Sequence, residues 1–122
     1  MDIEEIVVKN FPLGSPVHID FLADARRIVI RLIGSLDLQS SSALQDMLSS
    51  IIAGMGLGVR LVVDLGSVPY IPSAGVGALT MALTNAKKRD ITFQLSHIQP
   101  KVRAVFELLG FMSFFEEATG DD

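Results

Sequence analysis

The sequence contains no cysteine. That excludes a disulfide framework and a thiolate metal site, and it fits a reducing compartment, so a cytoplasmic location is expected. No apolar run approaches the roughly 18 residues that cross a bilayer, and no membrane attachment is expected. The acidic start MDIEEIVV lacks the form of a signal peptide. Charge is scarce in the middle of the chain, where residues 32–86 carry only Asp37, Asp46, Arg60 and Asp64. A stretch so poor in charge is either buried or forms a neutral interaction face, because interface cores are depleted of charge. The net charge of −4 argues against a nucleic-acid-binding surface.

Catalytic and ligand motifs are missing too. His18 and His97 stand far apart in strand-like stretches, with no HExxH or EF-hand pattern beside them, so no metal site is expected. No nucleophile–base pair is visible. G-x-S-x-G is absent around Ser73, where the residues read Ile71-Pro72-Ser73-Ala74-Gly75. The glycines of GMGLG at 54–58 follow a helix and precede a strand, the reverse of a phosphate-binding loop, and read as a helix stop and turn. The chain is therefore expected to have no catalytic residues, no cofactor and no enzymatic activity.

What is present is a 122-residue chain, nearly half hydrophobic, enough for one domain with one core. Residues 1–16, punctuated by Pro12, Gly14 and Pro16, read as an N-terminal extension holding a short strand or a helical turn and then a linker. Two strands follow at 17–22 and 27–33. Leu44, Met47, Leu48 and Ile51 mark a helical face, with a serine from 40 to 42 as its N-cap. RLVVDL is a buried strand, and SAGVGALTMALTNAKKRD is a helix with basic residues at its C-terminal end. ITFQLS alternates as a strand, and QPKVRAVFELLG is a helix with Pro100 near its start and Gly110 as its stop. FMSFFEEA reads as a last short strand or a helix start. The order β-β-α-β-α-β-α predicts an α/β fold, a mixed sheet with helices packed on it, without internal repeats.

YIPSAGVGAL, at 70–79, joins a buried strand to a helix. Gly75 and Gly77 each cost a helix interior about 1 kcal/mol relative to alanine. Ser73 as an N-cap explains one residue of this stretch, and Pro72 keeps Ile71 out of helical dihedrals. The glycines either let the helix approach its neighbours or leave a first turn bare for another molecule. A hydroxyl at a helix N-terminus is also a favourable place for a phosphate.

IRLIGSLDLQSSSALQDML, RLVVDLGSVPYIPSAGVGALTMAL and KVRAVFELLGFMSFF resemble the STAS domain of anti-sigma factor antagonists, over roughly residues 17–115. Gly34-Ser35-Leu36-Asp37 matches a G-x-L-D after the second strand. Pro72-Ser73-Ala74-Gly75-Val76-Gly77 matches a D-S-[STA]-G-[LV]-G loop, with proline in place of the aspartate. The resemblance implies a STAS-type mixed sheet covered on one face by helices, with the domain at 17–118 and a tail at 119–122. It also implies that a partner, both serine kinase and anti-sigma factor, phosphorylates Ser73, and that a metal-dependent serine/threonine phosphatase reverses this. Unphosphorylated, such a protein binds the kinase and frees a sigma factor. Ser35, Asp37, Pro72, Ala74, Gly75, Val76 and Gly77 then form the partner-binding surface. The alternative is a constitutive STAS scaffold or transport accessory that uses the same face without phosphorylation.

Overall fold

In a computed structural model, which describes residues 1–119, the chain runs α1 (Ile3–Asn10), β1 (His18–Ala23), β2 (Arg27–Ile33), α2 (Leu38–Gly54), β3 (Arg60–Ser67), α3 (Ser73–Lys88), β4 (Phe93–Ser96) and α4 (Pro100–Leu108). A single 3-10 turn, Met112–Phe114, leads into β5 (Glu116–Glu117). The expected tail at 119–122 lies outside the described residues beyond Thr119.

Alternation along the strands decides which side is covered. Ile28, Ile30 and Leu32 of β2, Leu61, Val63 and Leu65 of β3, and Phe93 and Leu95 of β4 all face one core. The helices supply Leu44, Met47, Leu48 and Ile51 from α2, then Val76, Leu79 and Leu83 from α3, and Val102 and Phe106 from α4. Each such side chain, once buried, contributes about 1.5–3 kcal/mol. The helices thus pack on one face of the sheet. The opposite face carries Asp20, Arg31, Asp64 and Ser96 in one row across β1 to β4.

The five strands lie in the order β1-β2-β3-β4-β5. β1 and β2 are antiparallel, as a short turn between consecutive strands dictates, and every later pair is parallel across a helical crossover. That connectivity places the loops after β2, β3 and β4 along the same rim of the sheet.

Of the short strand or helical turn expected at the N-terminus, the structure shows a two-turn helix, followed by an irregular connection to β1. Asp2 caps α1 by accepting the Glu5 N–H, and Ile3, Val7 and Phe11 join the main core beside α2. At the other end, Phe115 packs against Phe106 edge-on at 5.3 Å and against Phe93 at 6.3 Å, which holds β5 to the sheet. Arg103 of α4 grips both carboxylate oxygens of Glu117, a further tie to that edge.

Candidate functional site

Two backbone hydrogen bonds bring the GSLD loop and the β3–α3 junction together. The Gly34 N–H donates to the Ser67 carbonyl at 3.0 Å, and the Leu36 N–H donates to the Tyr70 carbonyl at 3.4 Å. Gly34 holds φ +121°, and a Cβ there would stand 2.9 Å from the Pro16 carbonyl oxygen, so only glycine fits this corner. Leu36 then points inward and is buried, while Ser35 and Asp37 remain exposed.

Asp37 is the N-cap of α2, three residues ahead of the serines expected in that role. Its carboxylate accepts the Ser40 N–H at 2.7 Å and the Ser40 hydroxyl at 2.8 Å. The Ser40 hydroxyl oxygen in turn accepts the Asp37 N–H at 2.8 Å, closing a capping box. Asp-x-x-Ser satisfies two otherwise orphan N–H groups at once, which no single serine at 40–42 does. These bonds, the Ser40 N–H first and its hydroxyl second, hold the Asp37 carboxyl below the usual carboxylate range.

The start of α3 also differs from the simplest expectation. Pro72, not Ser73, is the N-cap, at φ −79° and ψ 167°, and no side chain caps the helix. Proline meets the extended conformation required at that position, which pushes the serine into the first turn. The Pro72 carbonyl accepts the N–H groups of Gly75 at 2.9 Å and Val76 at 3.2 Å. Ser73 is exposed, and the first turn of α3 carries no acidic side chain.

The two glycines have different jobs. A Cβ on Gly75 would meet Ile71 Cγ1 at 2.7 Å and Leu36 Cδ1 at 3.3 Å, so Gly75 lets α3 settle onto the GSLD loop. A Cβ on Gly77 would meet nothing within 4 Å. Val76 is fully buried among core residues. Of the residues expected to touch a partner, Ser35, Asp37, Ser73 and Gly77 are exposed, and Pro72 and Ala74 are half-buried. Gly75 and Val76 are turned inward and shape the surface without reaching it.

Two neighbours escaped the sequence reading. Tyr70 and Leu38 flank this surface, 56% and 77% exposed, and add apolar area to a neutral face. Their position after a strand and at a helix start gave no signal beyond the absence of charge. Asp64, near the end of β3, is buried on the helix-free face. It accepts the Gly66 N–H at 2.8 Å and stands 3.4 Å from both Arg31 Nε and His97 Nδ1. Those contacts offset the cost of burying a carboxylate and brace the end of β3, where its pairing with β2 shifts between Asp64 and Ser67. Among the described residues no group of three or more His, Cys, Asp or Glu side chains is placed to hold a metal, and no helix is long and apolar enough to cross a membrane.

A family model described as "Mlab, STAS domain" matches residues 19–115. The curated Bordetella bronchiseptica protein BtrV, named as an anti-sigma factor antagonist, is 37% identical over 59 residues, 48% of this chain and 51% of that protein. The match thus spans about half the length of that relative. Among solved structures, the anti-sigma factor antagonist SpoIIAA of Bacillus in its unphosphorylated form superposes with a TM-score of 0.69 at 22% identity, covering 84% of this chain and 88% of that one. An anti-sigma factor antagonist from Mycobacterium paratuberculosis gives a TM-score of 0.70 at 20% identity, covering 85% and 86%. The shared fold, and a family match that runs from β1 to the residue before β5, show that the chain belongs to the STAS domain family.

Proposed function

We propose that the chain is an anti-sigma factor antagonist acting in the cytoplasm, a protein-binding module switched by phosphorylation of Ser73. The observation that carries this reading is the exposed Ser73 in an uncapped first turn of α3, beside the exposed Ser35 and Asp37. A phosphate there meets free N–H groups and the positive end of the helix dipole, so the domain tolerates it. The same phosphate adds about two negative charges to a docking face that otherwise carries the Asp37 carboxylate among uncharged side chains, which opposes an apolar contact with a partner. The partner in this reading is a serine kinase that is also the anti-sigma factor. It transfers the γ-phosphoryl group of ATP to Ser73 Oγ, and ADP leaves. A metal-dependent serine/threonine phosphatase restores the hydroxyl, and the antagonist itself performs no chemistry. BtrV, named as an anti-sigma factor antagonist, and the SpoIIAA structure in a phosphorylated form support the reading.

Incubation with the cognate kinase and ATP, followed by mass spectrometry, is the test. One phosphate on Ser73 is expected, none on Ser73→Ala, and loss of kinase binding in Ser73→Asp. An unmodified Ser73 together with undiminished binding by Ser73→Asp overturns the switch and leaves a constitutive STAS scaffold.

A further inference from the structure

Among the described residues β1 has a neighbour on one side only, and its sequence is unusually apolar for a free edge. Phe21 is 41% exposed and Leu22 53% exposed, one on each face of the sheet. Edge strands in natural proteins are normally blunted by charge, bulges or covering segments, because their open backbone groups pair with other strands. β1 pairs with β2 in unbroken register over all six of its residues and carries no bulge.

The hydrogen-bond phase of that edge can be read from its other side. The Asp24 N–H donates to the Arg27 carbonyl at 3.0 Å, and the same register pairs Leu22 with Val29 and Asp20 with Arg31. In an antiparallel pair the directly bonded residues alternate, so the even-numbered residues direct their N–H and C=O groups toward β2. Ile19, Phe21 and Ala23 therefore direct theirs away from the sheet.

We infer that this edge is a self-pairing surface, and that two copies of the chain join β1 to β1 in antiparallel fashion across a twofold axis at Phe21. A twofold perpendicular to the sheet keeps each face on its own side, so odd residues meet odd and even meet even. Centring on Asp20 or on Phe21 keeps five residues of the strand paired with the second copy, whereas centring on Ile19 or on Leu22 keeps only three. Centring on Asp20 sets that carboxylate directly against its own copy, and centring on Leu22 sets Asp20 against the partner's Asp24; both place like charges opposite each other, which destabilises a sheet pair. Centring on Phe21 avoids both clashes. It stacks Phe21 on its symmetry mate, sets Ile19 against Ala23, Asp20 against Leu22, and His18 against Asp24. Asp20 keeps Arg31 as its cross-strand neighbour within its own chain. The outward-facing groups of Phe21, Ile19 and Ala23 bond to those of the second copy, and two five-stranded sheets become one of ten. Such an isologous interface closes at two copies. It uses the open backbone edge of β1 centred on Phe21, whereas the proposed docking residues lie on the rim formed by the loops after β2 and β3.

The absence of native cysteine makes the register directly testable. Directly opposed residues outside the bonded pairs have Cα atoms about 4.5 Å apart, within the range a disulfide spans. A mixture of the full-length Asp20→Cys and Leu22→Cys variants, oxidised mildly, is expected to cross-link one variant to the other faster than either links to itself. Sedimentation of the wild type is expected to show a monomer–dimer equilibrium, and Phe21→Glu is expected to weaken it by about tenfold or more with the monomer's melting unchanged. Preferential self-linking of Asp20→Cys or of Leu22→Cys overturns the register. A wild type that sediments as monomer at every concentration, with no cross-link in the mixture, overturns the dimer. Neither result bears on whether Ser73 is phosphorylated.

Discussion

Gly75 and Gly77 are two residues apart in one helical turn, yet the same substitution moves their stabilities in opposite directions. At Gly75 a new methyl group collides with Ile71 and Leu36, and the collision is with Cγ1 of a packed isoleucine rather than with the tip of a flexible chain. Gly75→Ala is expected to destabilise by about 1–3 kcal/mol in urea unfolding. Gly77→Ala adds a methyl group to open space and removes glycine's entropic cost, and is expected to stabilise by about 0.5–1 kcal/mol. A bulky side chain at Gly77 is expected to weaken partner binding with the fold intact, as a pull-down set against the melting curve will show. From sequence these two glycines look equivalent, because local spacing reveals where a helix begins but not which side of it meets another loop. Ser73 is marked by local chemistry, a hydroxyl at a helix start, whereas Asp37 is marked only by the resemblance of Gly34-Ser35-Leu36-Asp37 to a family motif. The inward turn of Val76 was not legible in the sequence, since its burial depends on α2 and the sheet.

Helix α2 shows how a motif residue can serve the element before it serves a partner. Asp37 holds the first turn together through Ser40, so Asp37→Ala is expected to lower the melting temperature by a few degrees, whereas Asp37→Asn retains the cap and most of the stability. If binding to the proposed kinase falls in Asp37→Asn as well, the charge contributes to recognition apart from the cap. The strands and longer helices were readable because their apolar periods are strong; β2, β3 and α4 lie within a residue or two of where those periods put them. Two short elements were legible only as a choice between strand and helix. α1 is amphipathic over only eight residues, and its docking on α2 through Ile3, Val7 and Phe11 is a tertiary fact. β5 has two residues and exists because Phe115 is anchored between Phe93 and Phe106.

At the scale of the whole molecule, three surface carboxylates among the described residues favour the folded state at neutral pH. Backbone N–H groups of Arg26 and Arg27 hold Asp24 below the usual carboxylate range, Ser40 does so for Asp37, and the Arg103 guanidinium for Glu117. Each binds a proton more weakly folded than unfolded. Their contribution is therefore complete above the ordinary carboxylate range, about pH 4, and is lost as the pH falls through the lowered values. Urea midpoints measured from pH 7 downward are expected to hold steady and then drop below about pH 4. The combined Asp24→Asn, Asp37→Asn and Glu117→Gln variant is expected to flatten that drop. The sequence has no tryptophan and a single tyrosine, Tyr70, whose carbonyl receives the Leu36 N–H and whose ring is mostly in solvent. Tyrosine emission from the free protein therefore originates at one point, three residues from Ser73. A phosphate arriving there changes the ring's surroundings, and a tryptophan in a docked partner drains its excitation by energy transfer. The protein carries an unlabelled optical reporter built into the surface on which the proposed switch acts.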